Sequence, residues 1–195
     1  MNQLTEILGD KKYGINGRFV EVWMDGAKGT GQKDQKYWFT KWFELIESLQ
    51  PGCVIFSPYG STVRWVGNEN GKAGSPCWSR LNQSRQRYKY DHGIGEDTNY
   101  LNHGDPVGDI WSVAECDVSL TSGWFWKAGK VPKSMAQLAD IYFNSVGHGQ
   151  PFLLNVPPNT DGVIPDDFVN ILRKFKSTVD QSFSTNFAAQ EGVKI

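Results

Sequence analysis

The strongest constraint on the fold lies in the first third of the chain. Phe19-Val20-Glu21-Val22-Trp23-Met24 is a mostly apolar, β-prone run that stops at Asp25-Gly26. Tyr37 to Leu49 follows as a helix, with Trp38, Trp42, Leu45, Ile46 and Leu49 at three- and four-residue spacing. Pro51-Gly52 ends it, and Cys53-Val54-Ile55-Phe56-Ser57 is a short continuous apolar run of the kind buried on both faces. Strand, helix and strand with short connections form a βαβ unit, so the two strands are expected to be parallel.

The same pattern recurs downstream. Ile110 to Val118 reads as a strand, Ser134 to Val146 as a helix, Phe152 to Val156 as a strand, and a last helix runs from Pro165, expected at its first helical position, to about Phe183. Before the first strand, Gln3 to Leu8 reads as the last turns of an amphipathic helix. Residues 58–110 are loop-dominated, with strand-like pieces at Val63 to Val66 and Pro76 to Ser79, and a Gly- and Lys-rich loop runs through Gln35. So long a loop region within a compact domain is usually functional. The expected class is α/β, with polar residues (Asp25, Ser57, Asn155) at the carboxyl ends of strands, where parallel barrels place their sites.

Composition removes alternatives. Lys+Arg 20 against Asp+Glu 21 gives a net charge of −1 and no electrostatic footprint for nucleic acid or an anionic membrane. No stretch approaches the ~18 consecutive apolar residues of a membrane span. No GxGxxG or Walker A sequence supports a nucleotide cofactor, and no cofactor is expected. Cys53, Cys77 and Cys116 lack metal-ligand spacing and read as free thiols; His92, His103 and His148 read as polar loop residues, so no metal is expected. The first residues contain no secretory h-region, and compartment is left open.

Two carboxylates stand out. Asp25 sits on a strand end before Gly26, as a nucleophile held on a rigid element would, and equally as a turn-forming Asp would. Glu69, in Val63-Arg64-Trp65-Val66-Gly67-Asn68-Glu69, is either a solvated loop residue or an acid partly desolvated by Trp rings. Glu115 is a rival carboxylate that would bind substrate hydroxyls or make a structural ion pair. Arg64, Trp65, Trp78, Trp111, Trp124 and Trp126 form an aromatic-rich set in or beside loops, suited to the apolar faces and hydroxyls of sugars; Trp23, Trp38 and Trp42 read as core. Two carboxylates beside an aromatic cleft suggest glycoside hydrolysis.

Seven ordered strings carry a more specific signal: EVWMDGAKG (21–29), LQPGCVIFS (49–57), VRWVGNENG (63–71), AECDVS (114–119), GWFW (123–126), DIYFNSVG (140–147) and LLNVPPNTDG (153–162). Together they resemble glycoside hydrolase family 29, the α-L-fucosidases, and most of all the branch acting on α-1,3/1,4-linked fucose. The resemblance implies a retaining mechanism on a partial (β/α)8 TIM-like barrel, the second half from the nucleophile strand onward. It covers residues 1–183, with 184–195 a tail or the start of a linker toward a C-terminal β-sandwich. It implies Asp25 as nucleophile and Glu69 as general acid/base, with Arg64, Trp124, Trp78 and Glu115 serving the substrate. The expected partner is a fucosylated oligosaccharide or glycoconjugate, with self-association through unpaired barrel edges. An inactive fragment or degenerate sugar-binding protein, or a hydrolase acting on another sugar, are the alternatives. Thr121-Ser122-Gly123-Trp124-Phe125-Trp126-Lys127 departs from the family's usual R-P-G-W-F-[YW]-H, and His148-Gly149 from a usual Arg-Asn.

Overall fold

A computed structural model describes residues 2–25, 37–57, 62–87 and 97–189. The Gly- and Lys-rich loop and His92 lie outside the described residues. Helix α1 (Asn2–Gly9) leads into β1 (Glu21–Trp23), α2 (Phe39–Leu49), β2 (Val54–Ser57) and β3 (Val63–Trp65). A long excursion then holds β4 (Arg80–Leu81), α3 (Gln83–Arg87), α4 (Thr98–His103) and β5 (Ile110–Trp111). The chain returns through β6 (Val113–Ser119), α5 (Met135–Ser145), β7 (Phe152–Asn155) and α6 (Asp166–Ser182).

The main sheet has the order β1-β2-β3-β6-β7, with every pairing parallel. β1 and β2 are the parallel pair expected of the βαβ unit. The sheet curls as part of a (β/α)8-like barrel. One side-chain contact makes the curl necessary. Trp23 on β1 donates its indole N–H to Glu115 on β6 at 2.8 Å, although two strands lie between them. In a flat sheet those strands would stand about 14 Å apart.

Alternation along each strand separates an outer face from an inner one. Outward residues meet helices. Leu8, Phe39, Phe43, Ile46 and Ile55 form one buried cluster, with Val22 and Trp42 packed against it. Leu120, Leu138 and Phe168 form another, with Leu154 and Phe175 at its edge. Ser134 caps α5 through a reciprocal capping box with Gln137, which fixes where that helix starts. α6 begins one residue later than expected, with Pro165 as its cap and Asp166 and Asp167 in the first turn, where acidic side chains suit the helix dipole.

Between these clusters, β3 and the first half of β6 meet the excursion, whose short α4 bonds Arg64 and Val66. The outer residues there are small (Val66, Ala114 and Cys116), and the excursion packs over them. The expected strand at Pro76 to Ser79 is displaced to Arg80–Leu81, where it pairs antiparallel with Ile110–Trp111. What fixes the excursion is a fully buried side chain, Arg64. Its Nε donates to Leu101 O at 2.8 Å, one terminal nitrogen to Trp78 O at 2.9 Å, and the other to Ser112 O. Gln150 supports the same region, accepting from Ala114 N at 2.7 Å and donating to Cys77 O at 3.2 Å.

Truncating Arg64 would leave three carbonyls without their donor, each costing roughly 1–3 kcal/mol. Arg64→Met is therefore expected to destabilise the chain by at least about 3 kcal/mol, measured as a shift in the urea unfolding midpoint. Arg64→Lys should recover little, because an ammonium cannot reproduce the planar fork.

Candidate active site

The inner face of β6 organises the site. Residues Glu115, Asp117 and Ser119 alternate inward and are all buried, while Ala114 and Cys116 pack outward. Glu115 Oε1 accepts from Trp23 Nε1 at 2.8 Å, and Asp117 Oδ1 accepts from Trp65 Nε1 at 2.8 Å. Ser119 Oγ donates to Gly123 O at 2.6 Å and accepts from Asn155 Nδ2 at 3.0 Å. Asn155 also donates to Trp124 O at 2.8 Å, so the strand-end polar residue is a structural clamp on the Trp124 loop.

Asp25 lies just past β1, exposed, at the carboxyl end of the sheet. Tyr37 stands near it: burial raises the Tyr37 phenol's pKa first, and the negative charge of Asp25 raises it further. Glu69 lies past β3 in a short loop bounded by Gly67 and Gly71, both at positive φ. A Cβ at Gly67 would come within 2.4 Å of Thr98 O, and one at Gly71 within 2.8 Å of Val118 and Ile141, so glycine is needed at both ends. The Glu69 carboxylate then meets a second loop, where Trp124 Nε1 donates to its Oε2 at 3.1 Å. Asp25 and Glu69 therefore follow the carboxyl ends of β1 and β3, Trp124 meets Glu69, and Glu115 faces inward on β6.

Two residues from the sequence set do not join them. Arg64 points outward, and its guanidinium is engaged by backbone carbonyls and by Cys77 Sγ at 3.7 Å; among the described residues it has no carboxylate partner. Trp78 lies on the excursion beside Ser112 and Gln150, which precede β6 and β7, at the opposite end of the strands from Asp25 and Glu69. His103 and His148 bond backbone carbonyls of Asn99 and Gly74, as polar loop histidines do. The three cysteines are free, and burial pushes the Cys116 thiol up to about 12.

Sequence reasoning missed Asp117 as a member of this site, and it read Trp23 as core; Tyr37, which feels the charge of Asp25, belongs to the outer cluster under α2. The signal for Asp117 was present in the alternation Glu115, Asp117, Ser119 along a strand whose other face is apolar. Burial pushes the Asp117 carboxyl up to about 7, with the charges of Glu69 and Glu115 adding to the shift and the Trp65 hydrogen bond opposing it. Burial raises Glu115 as well, against the Trp23 hydrogen bond.

Carboxylates gathered at the carboxyl ends of curled parallel strands define a partial (β/α)8-type barrel with its site at the catalytic face. No family model matches the chain. Individual proteins do. The chain is 48% identical over 189 residues to Alpha-L-fucosidase 1 of Arabidopsis thaliana, covering 96% of the chain. A second plant sequence, from Oryza sativa subsp. japonica, is 46% identical over 99% of the chain. The chain spans 35% of the length of each of these relatives. The crystal structure of SpGH29 superposes with a TM-score of 0.87 at 44% identity, over 95% of this chain and 40% of that one. A Ruminococcus gnavus GH29 fucosidase in complex with fucose superposes with a TM-score of 0.84 at 42% identity, over 98% of this chain and 39% of its own. Over nearly its whole length the chain is thus similar to α-L-fucosidases and to structures of glycoside hydrolase family 29.

The raised Asp117 carboxyl has a defined consequence for stability. Its folded pKa lies above the unfolded value of about 3.9. The folded state therefore holds a proton that the unfolded state has released, and this contribution fades as pH rises from about 4 through about 7. Glu69 and Glu115 are the charged groups acting on it. Asp117→Asn is expected to gain thermal stability relative to the parent as pH rises across that window, read from paired melting curves. A constant difference between the two curves would contradict the shift.

Proposed function

We propose that this chain carries the catalytic carboxylates of a retaining α-L-fucosidase that releases terminal α-linked L-fucose from glycans. The observation that carries this reading is the Glu69–Trp124 contact, which fixes a loop carboxyl at the same sheet end as Asp25. Similarity to α-L-fucosidases supports the substrate class, and a family 29 relative has been captured with fucose, as has its aspartate-to-alanine mutant.

In this mechanism Asp25 attacks the anomeric carbon of fucose as Glu69 protonates the departing glycosidic oxygen. Glu69, now a carboxylate, takes a proton from water. That water attacks the anomeric carbon and releases Asp25. Retention asks for a carboxyl separation of roughly 5–5.5 Å. Trp124 lies against the sugar ring while its N–H steadies Glu69. Glu115 acts through Trp23, two residues before Asp25, rather than through an ion pair.

An aryl α-L-fucoside assay tests the roles. Asp25→Ala is expected to lose at least about 10³-fold in kcat and to regain turnover with azide, which fills the nucleophile's place. Glu69→Ala should lose far less on a dinitrophenyl fucoside than on a poor leaving group, because the better leaving group needs no acid. Equal rates for the parent and both variants would reject the assignment. If the chain alone is silent, co-expression with the remaining barrel segment of a family member supplies the assay. Silence there, with sugar still bound, would favour the sugar-binding alternative.

We also infer self-association. Among the described residues, β1 and β7 each pair with one strand only. Open parallel edges are templates for further pairing. Light scattering is expected to report a species larger than one chain; a single monomeric species that unfolds cooperatively would reject this.

A further inference from the structure

Beyond the two carboxylates assigned above, one pattern along β6 is unexplained by either. Three successive inward positions each hold a different element of the site. Glu115 holds Trp23, two residues before Asp25 on the same strand end. Asp117 holds Trp65, which opens the loop carrying Glu69. Ser119, through Gly123 and Asn155, holds the loop carrying Trp124. The β6 backbone reinforces the middle contact: Val66 N donates to Glu115 O and Gly71 N to Asp117 O, both at 3.1 Å, clamping the Glu69 loop at its two ends.

The register shows that these are not accidental neighbours. Trp65 is aligned with Glu115, but its indole reaches Asp117, one inward position further along β6. Trp23 is aligned through Phe56 and Val63 with Val113, and its indole reaches Glu115, again one inward position further. Two strands thus read the same ruler with the same offset. Trp23 is additionally pinned by stacking on Phe56, with ring centroids 4.1 Å apart.

We propose that Asp117 is a positioning residue for Glu69: by accepting the Trp65 indole N–H on the inner face of β6, it sets the height of the Glu69 loop against Trp124. The inference rests on the fucosidase reading only for its kinetic consequence. A carboxyl group fits this role because its Oδ1 accepts the indole N–H in a buried place and keeps acceptor capacity in either protonation state. An amide retains an acceptor oxygen at the same place, whereas an isosteric alkyl group retains none.

The test compares Asp117→Asn and Asp117→Leu by the indole N–H resonances of ¹⁵N-tryptophan-labelled chain, assigned by single Trp→Phe variants, together with kcat on the aryl fucoside. Asp117→Leu is expected to move the Trp65 resonance and, by displacing the Glu69 loop, that of Trp124, leaving Trp38 and Trp42 in place. Its kcat should fall at least tenfold with KM little changed. Asp117→Asn should keep both resonances near their parent positions and most of the turnover, a rescue that general destabilisation would not give. Should Trp124 stay in place when Trp65 moves, Asp117 is only a local partner of Trp65 and the proposal falls. The spectra decide this whether or not the chain turns over. The fucosidase reading fails separately, if Asp25→Ala keeps the activity of the parent.

Discussion

A guanidinium buried to zero exposure holds the centre of this sheet together. The flanks are covered by helices whose apolar stripes supply large side chains: Phe39 and Ile46 on one side, Leu138 and Phe168 on the other. The middle meets the excursion with its short α4, and its outward residues are as small as Ala114 and Cys116. Hydrophobic burial there is limited, so the excursion between β3 and β6 is held by hydrogen bonds instead. Arg64 is costly to bury, and burial lowers its pKa, but the group stays charged and its planar fork reaches three carbonyls from different parts of the excursion. Those three bonds tie Leu101, Trp78 and Ser112 to one point on β3.

That arrangement has a consequence for the opposite face of the same strand. Because Arg64 takes the outward position on β3, its neighbour Trp65 must point inward. The inward set then contains carboxyls answered by indole N–H groups rather than by cations. The ion pairs among the described residues, such as Lys72–Asp140 and Arg85–Asp97, lie on the surface. A neutral donor orients a carboxylate without cancelling its charge. On the inner face burial raises both carboxyls, the charge of Glu21 adding to it at Glu115 and the charges of Glu69 and Glu115 adding to it at Asp117. In the proposed reaction the transition state is oxocarbenium-like, so a site that preserves negative charge near the anomeric carbon stabilises it.

Periodicity made much of this architecture legible. α2, α5 and α6 and the strands β1, β2 and β7 stand where apolar spacing places them, because each buries one face against a neighbour. The excursion was not legible, since bonds such as Arg64 to Leu101 and Gln150 to Ala114 follow no period. For the same reason the sequence could assign Arg64 to substrate: an Arg beside a Trp in a motif has the same letters whichever face it takes. Asp117 was passed over although Glu115, Asp117 and Ser119 alternate in the sequence, because the burial of that polar face against Trp65 and Asn155 comes from contacts between strands.

The tryptophans show how the two kinds of information combine. Loop placement in the sequence marks Trp65, Trp78, Trp111, Trp124 and Trp126 as candidate sugar platforms, and the structure sorts them further. Trp78 and Trp111 are well exposed, yet both flank the residues that enter β6 from its amino end, so exposure alone does not qualify them. Trp124 is less exposed, and it is the one whose N–H reaches Glu69. Trp23 and Trp65 serve neither as simple core nor as platform. Each spans the curvature of the sheet to a carboxyl on β6, and each precedes a candidate catalytic residue in the chain. A long, rigid side chain with a single donor at its far end converts the register of a distant strand into the placement of the next few residues. Phenylalanine would keep an aromatic ring at position 65 without the N–H that reads the register. The indole nitrogen, rather than the apolar ring, is what ties the Glu69 loop to β6.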